Sequence, residues 1–307
     1  MENMADIKTS IIESSKKILS ERKNPVLILD LKEISKGVLF VIHDLLCKKQ
    51  FEALDVVLQT PGGDIDAAFL ITKVLRKHAK KVNVIVPLYA KSAGTLMCLG
   101  ADEILMTDLS ELGPLDTQIS EQQDGGHFRY TSALNGFKAL EQVQLHTIET
   151  LDIATKLILA RSSMKISEAV RLATEFSGQT SGTLYSKLNP EKIGEYARAL
   201  EIGERYGIML LTRYRSWNPE KADTTIKTLV KQYPSHGFII DVEELQSLGL
   251  PASRINDKLI DVMIELRRSL LKTESDIIEL VEGQTQQNQQ QSNINKPNQN
   301  QSNNQSK

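Results

Sequence analysis

The sequence predicts an α/β fold whose strands are largely parallel and buried on both faces. Two observations carry this. From Pro25 onward, short apolar runs alternate with helical patterns: V-L-I-L-D-L, then 34–49, A-L-D-V-V-L, 64–79, V-N-V-I-V-P, a helix from about 93, and E-I-L-M. A chain of 307 residues also has room for one large domain or two smaller ones with an ample core.

Taken in order, residues 1–22 form an N-terminal amphipathic helix. Over 5–22, Ile7, Ile11, Ile18 and Leu19 recur among Lys, Glu and Ser, which suits packing on the chain's own domain. The α/β core occupies 23–160. From about 136 the pattern turns helical, with helical periodicity over 136–161 and 191–216. S-G-Q-T-S-G-T-L-Y-S-K-L-N-P between them reads as a loop, and Trp217-Asn218-Pro219 marks a further break. Residues 161–230 are therefore a mainly helical region. Residues 231–256 return to the core. There F-I-I-D (238–241) is a short strand leading into V-E-E-L-Q-S-L-G-L, a helix with Gly249 at its C-cap position. The apolar residues of 255–281 recur at spacings of three, four or seven. That predicts a C-terminal helix over 257–282, packed on its own domain or serving as an oligomer contact. From 283 to 307 the chain is Gln, Asn and Ser with almost no apolar residue, and is expected to be disordered.

Composition narrows the function classes. Charged residues are 25% of the chain and the net charge is −2, which excludes a general nucleic-acid binder. No apolar run reaches the length of a membrane span, and the polar start M-E-N-M-A-D-I-K lacks the pattern of a signal peptide. Cys47 and Cys98 sit in apolar stretches without metal or CxxC spacing. They read as buried, reduced thiols of a cytoplasmic protein that needs no metal and no cofactor.

Two strand ends carry the chemistry. The first is T-P-G-G-D-I-D at 60–66. Pro61 fixes its own φ, Gly62-Gly63 permits backbone conformations closed to other residues and leaves amides uncovered, and Asp64 caps the helix that follows. Alone, this is a strand-to-helix turn. The second is A-K-S-A-G-T at 90–95. Ser92 there is either the cap of the next helix or a nucleophile on a tight strand-to-helix turn, with Ala90, Ala93 and Gly94 small enough for close approach. In the second case the amides of Ala93 and Gly63 form a two-donor oxyanion hole, worth ~3 kcal/mol per donor.

At these residues the chain resembles a known family. L-Q-T-P-G-G-D-I-D-A-A, V-P-L-Y-A-K-S-A-G-T-L-M-C-L-G-A-D-E-I-L-M and S-E-L-G-P-L-D-T-Q-I look like the serine dehydrogenase proteinases, within the Clp-protease/crotonase fold group that includes signal peptide peptidase A-type enzymes. The resemblance is specific over about 54–120 and returns more weakly at 233–250. It implies a ββα spiral core, Ser92 as nucleophile, Gly63 and Ala93 as oxyanion donors, a peptide or protein substrate, and a homo-oligomer. It does not imply a dehydrogenase, since no dinucleotide fingerprint is present.

The sequence departs from the Clp pattern at the base. Where that family carries its histidine, this chain reads G-P-L-D-T-Q-I. A serine hydroxyl needs a base within hydrogen-bond reach. His236 precedes F-I-I-D, roughly where Clp-type proteases supply the acid, and is one candidate. The alternative is a Ser-Lys dyad, with Lys138 the best placed lysine and Lys156 next. Lys91 adjoins Ser92 but should point away from it. His43 and His78 suit surface or packing roles, His127 falls in a loop and His146 on a helix. Asp116 lies in the block where the histidine is missing and is placed to orient a base.

The leading expectation is a serine peptidase acting through an acyl-enzyme. Two others stand beside it: a crotonase-like acyl-CoA hydratase or isomerase, and a catalytically silent oligomeric scaffold. An adaptor or ATPase partner is left open by the sequence.

Overall fold

The computed structural model describes residues 3–115, 118–122 and 128–283. Asp116, His127 and the tail at 284–307 lie outside them, so what the sequence predicts there stands as an expectation. In chain order the elements are α1 (Met4–Arg22), β1 (Val26–Asp30), α2 (Lys36–Leu46), β2 (Phe51–Gln59), α3 (Ile65–His78), β3 (Ala79–Val86), β4 (Tyr89–Ala90) and α4 (Ala93–Leu99). They continue with β5 (Glu103–Met106), β6 (Glu111–Leu112), β7 (Gln118–Gln122), β8 (Phe128–Ser132), α5 (Ala133–Arg161), α6 (Ile166–Tyr185) and α7 (Pro190–Arg215). The last are α8 (Pro219–Lys227), α9 (Val242–Ser247), β9 (Ala252–Arg254), α10 (Ile260–Leu270) and β10 (Ile277–Val281).

Six strands form the main sheet in the order β10-β1-β2-β3-β5-β9. All neighbours run parallel except β10, which is antiparallel to β1 at the edge. The expected α/β architecture is what the chain adopts. Alternation along each strand splits the core in two. Leu27, Leu29, Val56, Leu58, Val84, Val86, Ile104 and Met106 face α2, α3, α4 and α7. Val26, Ile28, Val57, Ile85 and Leu105 face α1 and α10, meeting Ile11, Ile18, Met263 and Leu266. Each fully buried aliphatic side chain of this kind contributes ~1.5–3 kcal/mol.

A polar row crosses the sheet towards the start of its strands. Register places Asp55, Asn83 and Glu103 side by side on β2, β3 and β5. Asp55 is fully buried. It accepts from Arg22 Nε at 2.6 Å, from Asn83 Nδ2 at 2.7 Å and from Asn24 Nδ2 at 3.2 Å. Arg22 also reaches Glu103 at 3.0 Å, which pins the last turn of α1 to the sheet.

Several sequence expectations change. The stretch read as a loop at 177–190 is helical as far as Tyr185. Its Ser and Gly residues suggest a turn, yet Ala169, Ala173, Ser177 and Ser181 are buried at four-residue spacing, where small side chains let α6 approach α5 closely. Ser177 Oγ donates to Thr147 O there at 2.9 Å. The predicted helix over 257–282 ends at Leu270, because I-I-E-L-V closes the sheet edge as β10 instead. The apolar stripe it belongs to packs within the chain, against α1. The F-I-I-D strand is reduced to one antiparallel bridge between Ile240 and Leu112. The β7–β8 hairpin has no counterpart in the sequence reading. Cys98 is buried as expected, which pushes its thiol up to about 12, but Cys47 is exposed at the end of α2.

Candidate active site

Two loops leave the C-terminal ends of neighbouring strands, where open α/β sheets place their sites. The first follows β2. Thr60 is bridged to Ala90, with Thr60 N donating to Tyr89 O at 3.1 Å and Lys91 N to Thr60 O at 3.0 Å. Its hydroxyl accepts from Gly62 N at 3.2 Å. The chain then turns through Gly62 (φ +120°) and Gly63 (φ +141°), a region that favours glycine. On the other side Gly63 is bridged to Ile34: Ile34 N donates to Gly62 O and Asp64 N donates to Ile34 O, both at 2.8 Å. In such a parallel bridge the amide of Gly63 itself points away from Ile34. Asp64 caps α3 by accepting from Asp66 N at 2.8 Å and Ala67 N at 3.1 Å.

The second loop carries Ser92, between β4 and α4. Its backbone is at φ 50°, ψ −114°, and its side chain makes no capping bond to α4. The other non-glycine residues with positive φ, Lys23 and Ser216, end α1 and α7 in the ordinary left-handed helix region. Ser92 is outside that region, in a sparsely populated conformation of the kind that strained functional turns adopt. It is 8% exposed. The simple capping role open to Ser92 in the sequence is thus not the one its side chain plays.

The two loops touch at this serine. A β-carbon placed on Gly62 would lie 3.0 Å from Ser92 Cβ, 3.1 Å from Lys91 O and 3.5 Å from Ala93 N. The glycine against the serine is therefore Gly62, while Gly63 is pressed on Ile34, where an added β-carbon would come within 2.4 Å of the carbonyl oxygen. Neither Gly63 N nor Ala93 N donates to an acceptor among the described residues. Ala93 opens α4, so it has no partner one turn earlier in the helix.

Thr95, which the sequence reading passed over, braces the turn from within. Fully buried, its hydroxyl lies 2.9 Å from Ala90 O and 2.8 Å from Gly113 O, and accepts from Gly113 N at 3.1 Å. Lys91 points away from the serine as expected, towards Leu112 O and Glu111 at 3.1 Å each.

The candidate bases belong to one neighbourhood. Lys138, in the second turn of α5, donates from Nζ to Tyr233 O at 2.7 Å. His236 follows three residues after that carbonyl, partly buried. Its own carbonyl oxygen lies 3.6 Å from a β-carbon position on Gly113, the residue bonded to Thr95. Leu112 and Ile240 exchange backbone bonds at 2.9 and 3.1 Å, holding the His236 segment against β6, whose partner β4 leads into Ser92. The Tyr233 hydroxyl donates to Glu244 at 2.7 Å, and its ring stacks on Phe238 at 4.8 Å. Burial, then that carboxylate, raises the Tyr233 phenol above the usual tyrosine range.

The remaining candidates lie elsewhere. Lys156 is exposed and paired with Asp152 at 2.5 Å. His43 and His146 are exposed, and His78 is buried with Nδ1 2.8 Å from Lys49 O. Among the described residues no cluster of His, Cys, Asp and Glu is arranged to hold a metal ion. Among the described residues no helix is long and apolar enough to cross a membrane.

The comparison with known families bears on the strand ends just described. Residues 33–169 match the family of ClpP-like SDH-type serine proteinases. The resemblance read from the sequence holds over that segment, which contains both loops. Two uncharacterized proteins of Methanocaldococcus jannaschii are similar to this chain. One is 29% identical over 213 residues, 69% of this chain and 58% of the relative. The other is 33% identical over 179 residues, 58% of this chain and 52% of the relative. The chain thus spans little more than half the length of these relatives. Similar solved structures include a mutant of a membrane-bound stomatin-specific protease, at 16% identity and TM-score 0.41, covering 78% of this chain and 84% of that one. A ClpP1 mutant from Listeria monocytogenes follows at 13% identity and TM-score 0.36, covering 80% and 98%.

Proposed function

We propose that the chain is a serine peptidase with Ser92 as nucleophile. The observation that carries this is the backbone of Ser92: a non-glycine residue at φ 50°, ψ −114°, uncapped at the head of α4 and in contact with the Gly62–Gly63 turn. The match to ClpP-like serine proteinases over residues 33–169 supports the substrate class.

In this reading the Ser92 hydroxyl attacks the carbonyl carbon of a peptide bond while its proton passes to a base. The oxygen of the tetrahedral intermediate takes the two amides left open, Gly63 N–H and Ala93 N–H, at ~3 kcal/mol for each donor. Collapse expels the amine, which receives the proton from the base, and leaves an acyl ester on Ser92. Water, deprotonated by the same base, releases the acid and restores the hydroxyl. The base is His236 or Lys138. They share one structural unit, since Lys138 grips the carbonyl of Tyr233 just before His236. Asp116 retains its expected part in orienting the base.

A fluorophosphonate probe tests the reading. The intact protein should take up one label, and Ser92→Ala none, with no change in its melting transition. Equal labelling of the variant, or no labelling of the intact protein between about pH 6 and about pH 10, overturns it. Loss of ~10²-fold in labelling rate in His236→Ala or in Lys138→Ala identifies the base, and full rates in both dismiss the pair.

A further inference from the structure

Ser35 and Ser92 both head helices, and the fold uses them in opposite ways. Ser35 precedes α2 and Ser92 precedes α4. Each carbonyl oxygen accepts the first bond of its helix, from Leu39 N and Leu96 N, at 3.1 Å. Ser35 has an extended backbone, φ −141° and ψ 168°, and its hydroxyl accepts from Val38 N at 3.3 Å. That is the ordinary cap of a helix. The matching amide in α4 is Thr95 N. It is buried, and it donates to no acceptor among the described residues. Ser92 is thus held off the bond that its type and position favour, at a φ of 50° that persists only where the surroundings over-determine it.

Thr95 supplies those surroundings. Its hydroxyl reaches back across the serine to Ala90 O at 2.9 Å, lies 2.8 Å from Gly113 O, and accepts from Gly113 N at 3.1 Å. The first contact fixes the chain two residues before Ser92 against the opening turn of α4, so residues 90–95 close into a ring around the serine. A chain drawn in that far enters the helix through a positive φ instead of an extended cap. The other contacts tie the same turn to Gly113, where a β-carbon would lie 2.7 Å from Lys91 Cδ and 3.6 Å from His236 O. In α2 the position of Thr95 is taken by Val38, which has no hydroxyl, and there the serine caps.

We propose that Thr95 is a positioning residue for Ser92. Its hydroxyl clasps Ala90 and Gly113, keeps the serine from capping α4, and sets it in register with the segment that carries His236. The proposal rests on Ser92 as nucleophile and requires no contact between Thr95 and substrate.

Thr95→Val gives the head of α4 the residue found in α2. Labelling of Ser92 by a fluorophosphonate should then slow by ~10²-fold, whereas Thr95→Ser, which keeps the hydroxyl, should stay within about threefold of the parent. Urea denaturation reads the same change without activity. In the parent, Ser92→Ala should leave the midpoint unchanged, because the serine makes no cap bond. In the Thr95→Val background, Ser92→Ala should shift the unfolding equilibrium by about fivefold, the loss of a newly made cap. Should valine leave the chain unfolded, Thr95→Cys, a weak donor of similar size, takes its place in both measurements. Parental labelling in Thr95→Val, or slow labelling in Thr95→Ser, overturns the proposal. So does a Ser92→Ala substitution that costs the same in both backgrounds. A parent that takes no label sinks the catalytic reading alone, and the stability comparison still decides whether Thr95 holds the serine off its helix.

Discussion

The two ends of the central sheet treat polar groups in opposite ways. Towards the start of the strands, Asp55 is surrounded by Arg22, Asn24 and Asn83, so that its buried charge meets a donor on every side. At the finish of the strands, Gly63 N and Ala93 N are held in place yet donate to no acceptor among the described residues. Completed polar networks make a structure unique and rigid. Oriented donors without a partner hold a shape for a group that arrives later. In the proposed function, the contrast separates what keeps the fold together from what would meet the substrate.

The largest effect should come from breaking the closed end. Arg22→Ala leaves the Asp55 carboxylate buried without its cation and should cost ~3–5 kcal/mol in chemical denaturation. The fraction still folded should label at the normal rate with a fluorophosphonate. A slowed rate in that fraction would mean the two ends are coupled. At the open end, Gly62→Ala places a methyl group against Ser92 Cβ and Lys91 O and should slow labelling by ~10²-fold. An unchanged rate would remove the glycine turn from the site.

A smaller effect sharpens the boundary between them. Asp30, at the end of β1, is held above the usual carboxylate range by burial, against hydrogen bonds from Thr273 and Gln59 and the nearby Lys32. A raised carboxyl favours the folded state while it is protonated. Its contribution is present below the unfolded value of about 3.9 and is lost as pH rises through the higher folded value. Asp30→Asn should therefore gain stability relative to the parent as pH rises from about 4, then hold a constant difference, measurable by urea denaturation at a series of pH values. A difference that does not change with pH would place the charge of Asp30 in water.

Much of the site was legible because glycine, proline and small residues have few uses. T-P-G-G and A-K-S-A-G at successive strand ends locate two turns before any coordinates. What stayed hidden was mostly backbone. Nothing in the sequence says that Lys138 meets the Tyr233 carbonyl, since every residue has one. Nor does it say that Gly62 rather than Gly63 abuts the serine. In the fold, α6 was obscured because glycine and serine signal turns, although small side chains also allow close helix contact. I-I-E-L-V satisfies helix and strand spacing alike, and only the vacant edge beside β1 decides for β10.

That edge has a consequence for how the chain is made. Ser10 on α1 and Ser269 on α10 lie 2.9 Å apart although 259 positions separate them. The apolar side of α1 that α10 covers must therefore wait for nearly the whole domain to leave the ribosome. Until then Ile7, Ile11 and Ile18 are open to water and to other nascent chains, a window in which a folding helper has most to contribute.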